Sequence, residues 1–380
     1  MIPERTYLDW NATAPLLPEA RAAIARALDA GGNPSSVHAE GRRARAIVET
    51  AREQVAALVG ARPSEVIFTS GATEACASVL AAPWAAVLAT SIEHDAVLRP
   101  AEAVAGRRVH VDVASDGRVN ASDLAGKAAT AVRAFGPGNV LIALQIANNE
   151  TGVIQPVAEA ASLGREAGAL FFTDAAQAAG RIAVDFAALG ADFLALSAHK
   201  LGGPTGVGAL VIRDGHELPA LLGGGGQERR RRGGTENVPG IAGFGAAAEA
   251  ARSAIAAHGR IARLRDRLEA GLLDLTPEAR IIGACAERLP NTTCLTLPGH
   301  TAETLVIRFD LAGIAVSAGA ACSAGKIGAS HVLMAMGLDE ATARSAIRFS
   351  IGPATTDHDI DRCLAAWREI AARPRARTAA

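Results

Sequence analysis

Three stretches of the 380-residue sequence put reactive side chains where apolar runs end. Ser70-Gly71-Ala72-Thr73 follows the run Glu65–Thr69 and opens a helical pattern. Free backbone N–H groups and the positive end of a helix dipole meet hydroxyls there, which makes either a phosphate seat or an ordinary Ser/Thr cap. Phe171-Phe-Thr-Asp174-Ala-Ala-Gln177 ends an apolar run with a carboxyl, which needs a cation or hydrogen-bond donors if it is ionised. Ser197-Ala-His199-Lys200 ends another, where desolvation lowers an amine's pKa and frees it as a nucleophile. A turn aspartate and a snorkelling lysine explain each one singly. Together they supply what pyridoxal phosphate (PLP) requires: an amine for a Schiff base, an acid for the pyridinium nitrogen and a phosphate seat.

The elements that must position these groups alternate along the chain. Helical patterns cover Pro18–Ala30, Ser36–Val59 and Pro156–Ala167. Runs of strand length are Glu65–Thr69, Ala85–Ala89, Val109–Val113, Val140–Ile146, Ala169–Thr173, Phe193–Ser197 and Gly208–Ile212. Strands without polar alternation, separated by helices, predict an α/β sheet covered on both faces. Right-handed crossovers then gather the loops at the strands' C-terminal ends, where open α/β sheets bind ligands. After Asn237 one long helical stretch runs to about Leu275, followed by strands near Thr293–Leu297 and Ala346–Ile351. That pattern predicts a smaller second domain joined through a long helix.

Composition removes several functions. With 38 Lys+Arg against 39 Asp+Glu and a net charge of −1, the chain has no electrostatic handle for nucleic acid or an anionic membrane. Nine Phe, three Trp and one Tyr leave few base-stacking platforms. No run of ~18 apolar residues occurs, and the first residues lack a basic-then-apolar signal pattern, so a cytoplasmic protein is expected. Five cysteines without a C-x-x-C pair argue against a disulfide framework and a zinc site, and no metal is expected. Cys76, Cys285, Cys294 and Cys363 read as inert small hydrophobes. No strand is followed by G-x-G-x-x-G, and Gly325-Lys326 continues with Ile327, so dinucleotide and P-loop fingerprints fail. Arg229–Arg232 reads as a solvated or dimer-facing segment.

Tyr7-Leu-Asp-Trp-Asn-Ala-Thr13, Gly32-Asn-Pro-Ser-Ser-Val-His38, Phe68-Thr-Ser-Gly-Ala-Thr-Glu74, Glu93-His94, Ala147-Asn-Asn-Glu-Thr-Gly152, Asp174-Ala-Ala-Gln177, Ser197-Ala-His-Lys200, Arg232-Gly-Gly-Thr-Glu-Asn237 and Ser345-Ala-Ile-Arg-Phe-Ser350 occur in one order. In this the chain resembles cysteine desulfurases of the nitrogen-fixation or iron–sulfur-cluster type, within the class V aminotransferase group, from Tyr7 to about Thr356. The resemblance implies the aspartate aminotransferase-like fold of PLP-dependent transferases (fold type I). It gives a large domain at 15–255, with a mixed, mostly parallel sheet, and a smaller α+β domain from 1–14 and 256–380 that carries the cysteine loop. By the same resemblance Lys200 would hold PLP covalently, Asp174 would pair with the ring nitrogen, Gln177 would donate to the ring hydroxyl and His94 would stack on the ring. Ala72, Thr73, Ser197 and His199 would hold the phosphate, with Thr235 of the other subunit of a homodimer. Asn149 would lie beside ring and substrate, and Arg348 would take the substrate carboxylate. Ala72 departs from the glycine common at its place and adds a methyl beside the phosphate turn.

Cys322 lies in Ser317-Ala-Gly-Ala-Ala-Cys-Ser-Ala-Gly-Lys326, whose small residues have little to pack with and predict a mobile loop. The resemblance makes Cys322 the nucleophile that takes sulfur from L-cysteine as a persulfide and leaves L-alanine, with Lys200 and His94 as acid–base partners. The sulfur would pass to an acceptor or iron–sulfur scaffold protein. The chain stops soon after its last helical pattern, so no long C-terminal docking arm is expected, and Pro374–Ala380 should fray. Alternatives are another class V PLP enzyme (an aminotransferase or a selenocysteine lyase), a non-catalytic sulfur carrier on the same fold and, last, a Rossmann oxidoreductase.

Overall fold

The computed structural model describes residues 5–103, 108–319 and 328–371. Cys322 and Pro374–Ala380 lie outside the described residues.

The chain enters through a short strand, β1 (Thr6–Tyr7), and two helices, α1 (Pro18–Ala30) and α2 (Ala39–Leu58). Strands β2 (Val66–Thr69), β3 (Ala86–Thr90), β4 (Arg108–Val111), β5 (Val140–Ala143), β6 (Leu170–Asp174), β7 (Phe193–Ser197) and β8 (Gly208–Ile212) form one seven-stranded sheet, ordered β2-β8-β7-β6-β5-β3-β4. β8 runs antiparallel to both its neighbours and the rest are parallel. All seven strands start within one residue of the sequence expectation. The run at Val140 ends three residues early as a strand, although the Leu144 and Ile146 N–H groups still donate to the Phe172 and Asp174 carbonyls of β6.

The helices between the strands are α3 (Ala72–Leu80), α4 (Asp95–Ala103), α5 (Ala121–Phe135), α6 (Val157–Glu166) and α7 (Phe186–Leu189). Apolar side chains of alternating strand positions fill two cores: Phe68, Leu88, Ile142, Phe171 and Leu194 on one face, Ile67, Val87, Leu141, Phe172 and Phe193 on the other. Burial on both faces is why these strands show no polar alternation.

The single helix expected from 238 to 275 is two, α8 (Val238–Ala254) and α9 (His258–Leu275), parted by a 3₁₀ turn at Ile255–Ala257. The Ala-rich sequence carries no Pro at that break, and its one nearby glycine, Gly259, falls just inside α9. A tertiary contact meets the chain there too, where His258 Nδ1 pairs with the Arg181 carbonyl oxygen at 2.6 Å. α8 packs closely on α2, and a Cβ at Gly245 would stand 2.6 Å from Ala51 Cα.

Beyond α9, strands β9 (Arg280–Ile281), β10 (Thr292–Thr296), β11 (Ile314–Ala315), β12 (Ser317–Ala318) and β13 (Ile347–Ser350) appear with helices α10 (Ala302–Leu311), α11 (His331–Ala335), α12 (Glu340–Arg344) and α13 (Asp357–Ala371). β12-β13-β10-β9 form an antiparallel sheet, and β1 pairs in parallel with β11. Leu8, Leu268, Leu295, Phe309, Phe349 and Trp367 share a separate core, so the N-terminal strand packs with the C-terminal third. No helix among the described residues is long and apolar enough to cross a membrane.

Candidate active site

Crossover connections bring the C-terminal ends of β5, β6 and β7 to one edge, beside the start of α3. A cavity of about 480 Å³ opens there. Ala72, Thr73, His94, Asn149, Asp174, Gln177, Ser197, His199, Lys200 and Arg348 all line it, although up to 276 positions separate them in sequence. Thr235 does not line it and is exposed on the same chain.

Lys200 leaves the 3₁₀ turn Ala198–Lys200 that continues β7, and its Nζ donates to the main-chain oxygens of Asn11 (2.6 Å) and Ala12 (2.9 Å). Asp174, the last residue of β6, accepts from the Ala176 N–H at 2.8 Å. Desolvation pushes its pKa up, against the pull of that donor, His94 and Lys200.

His94 takes the position just before α4, where Nδ1 accepts from the Ala96 N–H at 3.0 Å. Burial pushes its pKa down, so the ring is neutral at pH 7 and its proton sits on Nε2. The ring therefore offers a donor at Nε2. The histidine is also the helix-entry cap. Burial, with Lys200 and Arg181 nearby, pushes His199 down to about 4, and its Nδ1 pairs with Thr13 Oγ1 at 3.1 Å.

Gly71 caps α3 without a side chain, so the first-turn N–H groups of Ala72 and Thr73 have no side-chain cap at the cavity edge. Ser70 N–H is engaged by Glu74 Oε2 at 2.7 Å, and Arg232 holds the same carboxylate from the other side. Arg232 is thus held in an ion pair, while Arg229 and Arg230 are exposed.

Arg348, on β13 and 2% exposed, donates to Asp9 Oδ1 (2.7 Å) and the Asn149 oxygen (3.1 Å), while its buried Nε has no partner among the described residues. Cys76, Cys294 and Cys363 are buried as expected, but Cys285 is exposed.

The segment Asp9–Thr13 carries the functional contacts that its sequence does not announce. Asp9 meets Arg348, the Trp10 oxygen meets Arg181, the Asn11 oxygen meets Lys200 and Gln177, and Thr13 meets His199. Asn11 also ties to Thr292, Asn291 and Ser350 of the C-terminal sheet region. Only its place in the motif Tyr7–Thr13 hinted at this, because main-chain acceptors leave no trace in residue type.

The mixed sheet, a lysine after an apolar strand and an arginine fork across one cavity define a class of lysine-centred α/β enzymes. Residues 6–363 match the aminotransferase class-V family, and the chain belongs to it. That family is PLP-dependent. The chain is 43% identical over 376 residues to a cysteine desulfurase of Cereibacter sphaeroides, covering 95% of this chain and 94% of the relative. The X-ray structure of a NifS-like protein from Rickettsia africae ESF-5 superposes with a TM-score of 0.88 at 33% identity, covering 97% of this chain and 99% of that one. A structure described as SspA in complex with cysteine gives a TM-score of 0.78 at 29% identity, covering 92% and 100%.

Proposed function

We propose that this chain is a PLP-dependent cysteine desulfurase that converts L-cysteine to L-alanine and leaves the sulfur on Cys322 as a persulfide. One observation carries the reading: an amine, a carboxyl, an uncapped helix start and an arginine with an orphaned Nε converge on one 480 Å³ cavity. These groups fit PLP. Ala72, Thr73, Ser197 and His199 would hold its phosphate, Asp174 its ring nitrogen, Gln177 its hydroxyl and Lys200 its aldehyde carbon, with Thr235 from a second subunit. When bound, the cofactor supplies a sink for the electron pair left at the substrate Cα.

The chain's own residues do the rest. Arg348 takes the substrate carboxylate as a two-pronged fork beside Asn149. The Lys200 amine removes the Cα proton and later returns a proton to carbon. A free thiol with pKa ~8.5 is only a few per cent thiolate at pH 7, and the His94 Nε2–H stabilises the anion by donating to it. The Cys322 thiolate forms an S–S bond to the substrate sulfur as the Cβ–S bond breaks, and Cβ takes a proton. Cysteine plus thiol thus becomes alanine plus persulfide, with no oxidant consumed.

The reading places the enzyme in the cytoplasm as a homodimer with domains at 15–255 and at 1–14 plus 256–380. Its persulfide would feed an acceptor or scaffold protein in iron–sulfur cluster or other sulfur-cofactor assembly, of which nitrogen fixation is one user. The core shared by Leu8, Leu268, Leu295, Phe349 and Trp367 supports that division, while Leu289 packs into the large core and Ile92 joins Ile282, Cys294 and Leu333 across the boundary.

The test is a sulfide and alanine assay with cysteine and a reducing thiol. The unaltered chain should release both in equal amounts. Cys322→Ala should keep the yellow cofactor, fixable to Lys200 by borohydride, yet release no sulfide. Normal sulfide from that variant removes Cys322 from the reaction, and alanine formed only with a keto acid present points to an aminotransferase.

A further inference from the structure

Arg181 follows the turn after β6 and is 8% exposed. Its NH1 donates to the Gln177 main-chain oxygen at 2.7 Å and to the Gln177 side-chain oxygen Oε1, and its NH2 reaches the Trp10 oxygen at 3.3 Å. None of these acceptors is a carboxylate. By contrast, buried Arg52 faces Glu228 and Arg348 faces Asp9. Burial and the neighbouring Arg348 charge push Arg181 down to about 9, which still leaves it cationic at pH 7. A desolvated cation without a counter-charge is costly, and an anion bound nearby offsets that cost.

A guanidinium has donors only, so the Gln177 oxygen must face Arg181 and the amide NH2 must face away from it. That NH2 donates to the Asn11 oxygen at 3.1 Å, the same oxygen that holds Lys200 Nζ. Gln177 lines the large cavity, and Arg181 and Lys200 together line a second, smaller one of about 190 Å³.

We propose that Arg181 is a positioning residue of the cofactor pocket: it locks the Gln177 amide with its donors toward the cavity and adds a fixed positive charge behind Lys200. This rests on the PLP reading above. Both effects favour the anionic form of the cofactor's ring hydroxyl and disfavour a proton on the Lys200 nitrogen. The other charged or titratable groups around that nitrogen are Asp174 at the end of β6, His94 before α4, His199 beside it, and Arg348 with Asp9 across the cavity. None of them changes in the test.

The experiment is a spectrophotometric pH titration of the lysine-bound cofactor, in the absence of substrate, for the unaltered chain, Arg181→Met, Arg181→Lys and Gln177→Leu. Arg181→Met should raise the midpoint by about one pH unit, the size of a nearby-charge effect. It should also weaken PLP rebinding to the apoprotein about tenfold, as loss of a charge-assisted contact does. Arg181→Lys should restore part of the midpoint, because it keeps the charge, and Gln177→Leu should raise it in an Arg181 background. An unchanged midpoint in Arg181→Met overturns the proposal. If that variant does not fold, an unchanged midpoint in Gln177→Leu overturns it instead. A merely structural role would lower thermal stability without moving the midpoint, and that outcome also counts against it. If the unaltered chain carries no cofactor at Lys200, the function proposed above fails and takes this inference with it.

Discussion

Arg348 separates recognition from chemistry at the scale of a single side chain. Its two bonds to Asp9 and the Asn149 oxygen aim a planar fork that a lysine cannot reproduce. Arg348→Lys should therefore raise KM for cysteine by at least ~10-fold while cofactor uptake at Lys200 stays normal, measured by initial rates and absorbance. Glu93 offers a test by pH. Its buried carboxyl accepts from Thr90 and from the Gln145 N–H, yet desolvation and Asp174 push it up to about 8, against 4.5 when free. Between those values the folded chain holds a proton that the unfolded chain has lost, so stability falls as pH rises from about 4.5 to about 8. Glu93→Gln should flatten that decline in urea melts at stepped pH. An unchanged slope would mean that the carboxyl is ionised in the folded state throughout.

Among the elements, the 3₁₀ turn Gln227–Arg230 depends on one ion pair. Glu228, Arg229 and Arg230 all have positive φ, at 44°, 57° and 67°, a costly conformation for residues with a Cβ. The Glu228 carboxylate accepts two bonds from buried Arg52, at 2.8 and 2.9 Å, and one from the Phe68 N–H. Glu228→Ala leaves Arg52 with Glu49, at 3.1 Å, as its one carboxylate partner among the described residues and should cost ~1–3 kcal/mol in denaturant unfolding. A loss of only a few tenths would show that water reaches Arg52. The same scale shows where periodicity failed. The apolar strands were legible because both faces are buried, whereas at the break between α8 and α9 His258 meets Arg181, 77 residues away, a contact no local pattern announces. The two-residue strands β1, β9, β11 and β12 were too short to leave a pattern.

For the whole molecule, the proposal requires two chains, because Thr235 is exposed and outside its own chain's cavity. Sedimentation at micromolar concentration should give twice the chain mass. Mixed dimers of Lys200→Ala with Thr235→Ala chains place both defects in one of the two sites and should recover one working site per dimer. Complete inactivity of such hybrids, with each parent dimer assayed beside them, would put Thr235 outside the partner's site.

The strand-end chemistry was already written in the sequence: Asp174, Lys200 and the Ser70–Thr73 turn are each announced by the apolar run before them, since a desolvated polar group after a buried strand is a local signal. Tertiary structure alone decided how Asp9–Thr13 crosses the site, which face of His94 carries the proton and which way Gln177 points. Those depend on main-chain oxygens, on the Ala96 N–H and on an arginine at a turn, and atoms common to every residue acquire a role only when long-range folding sets them in place.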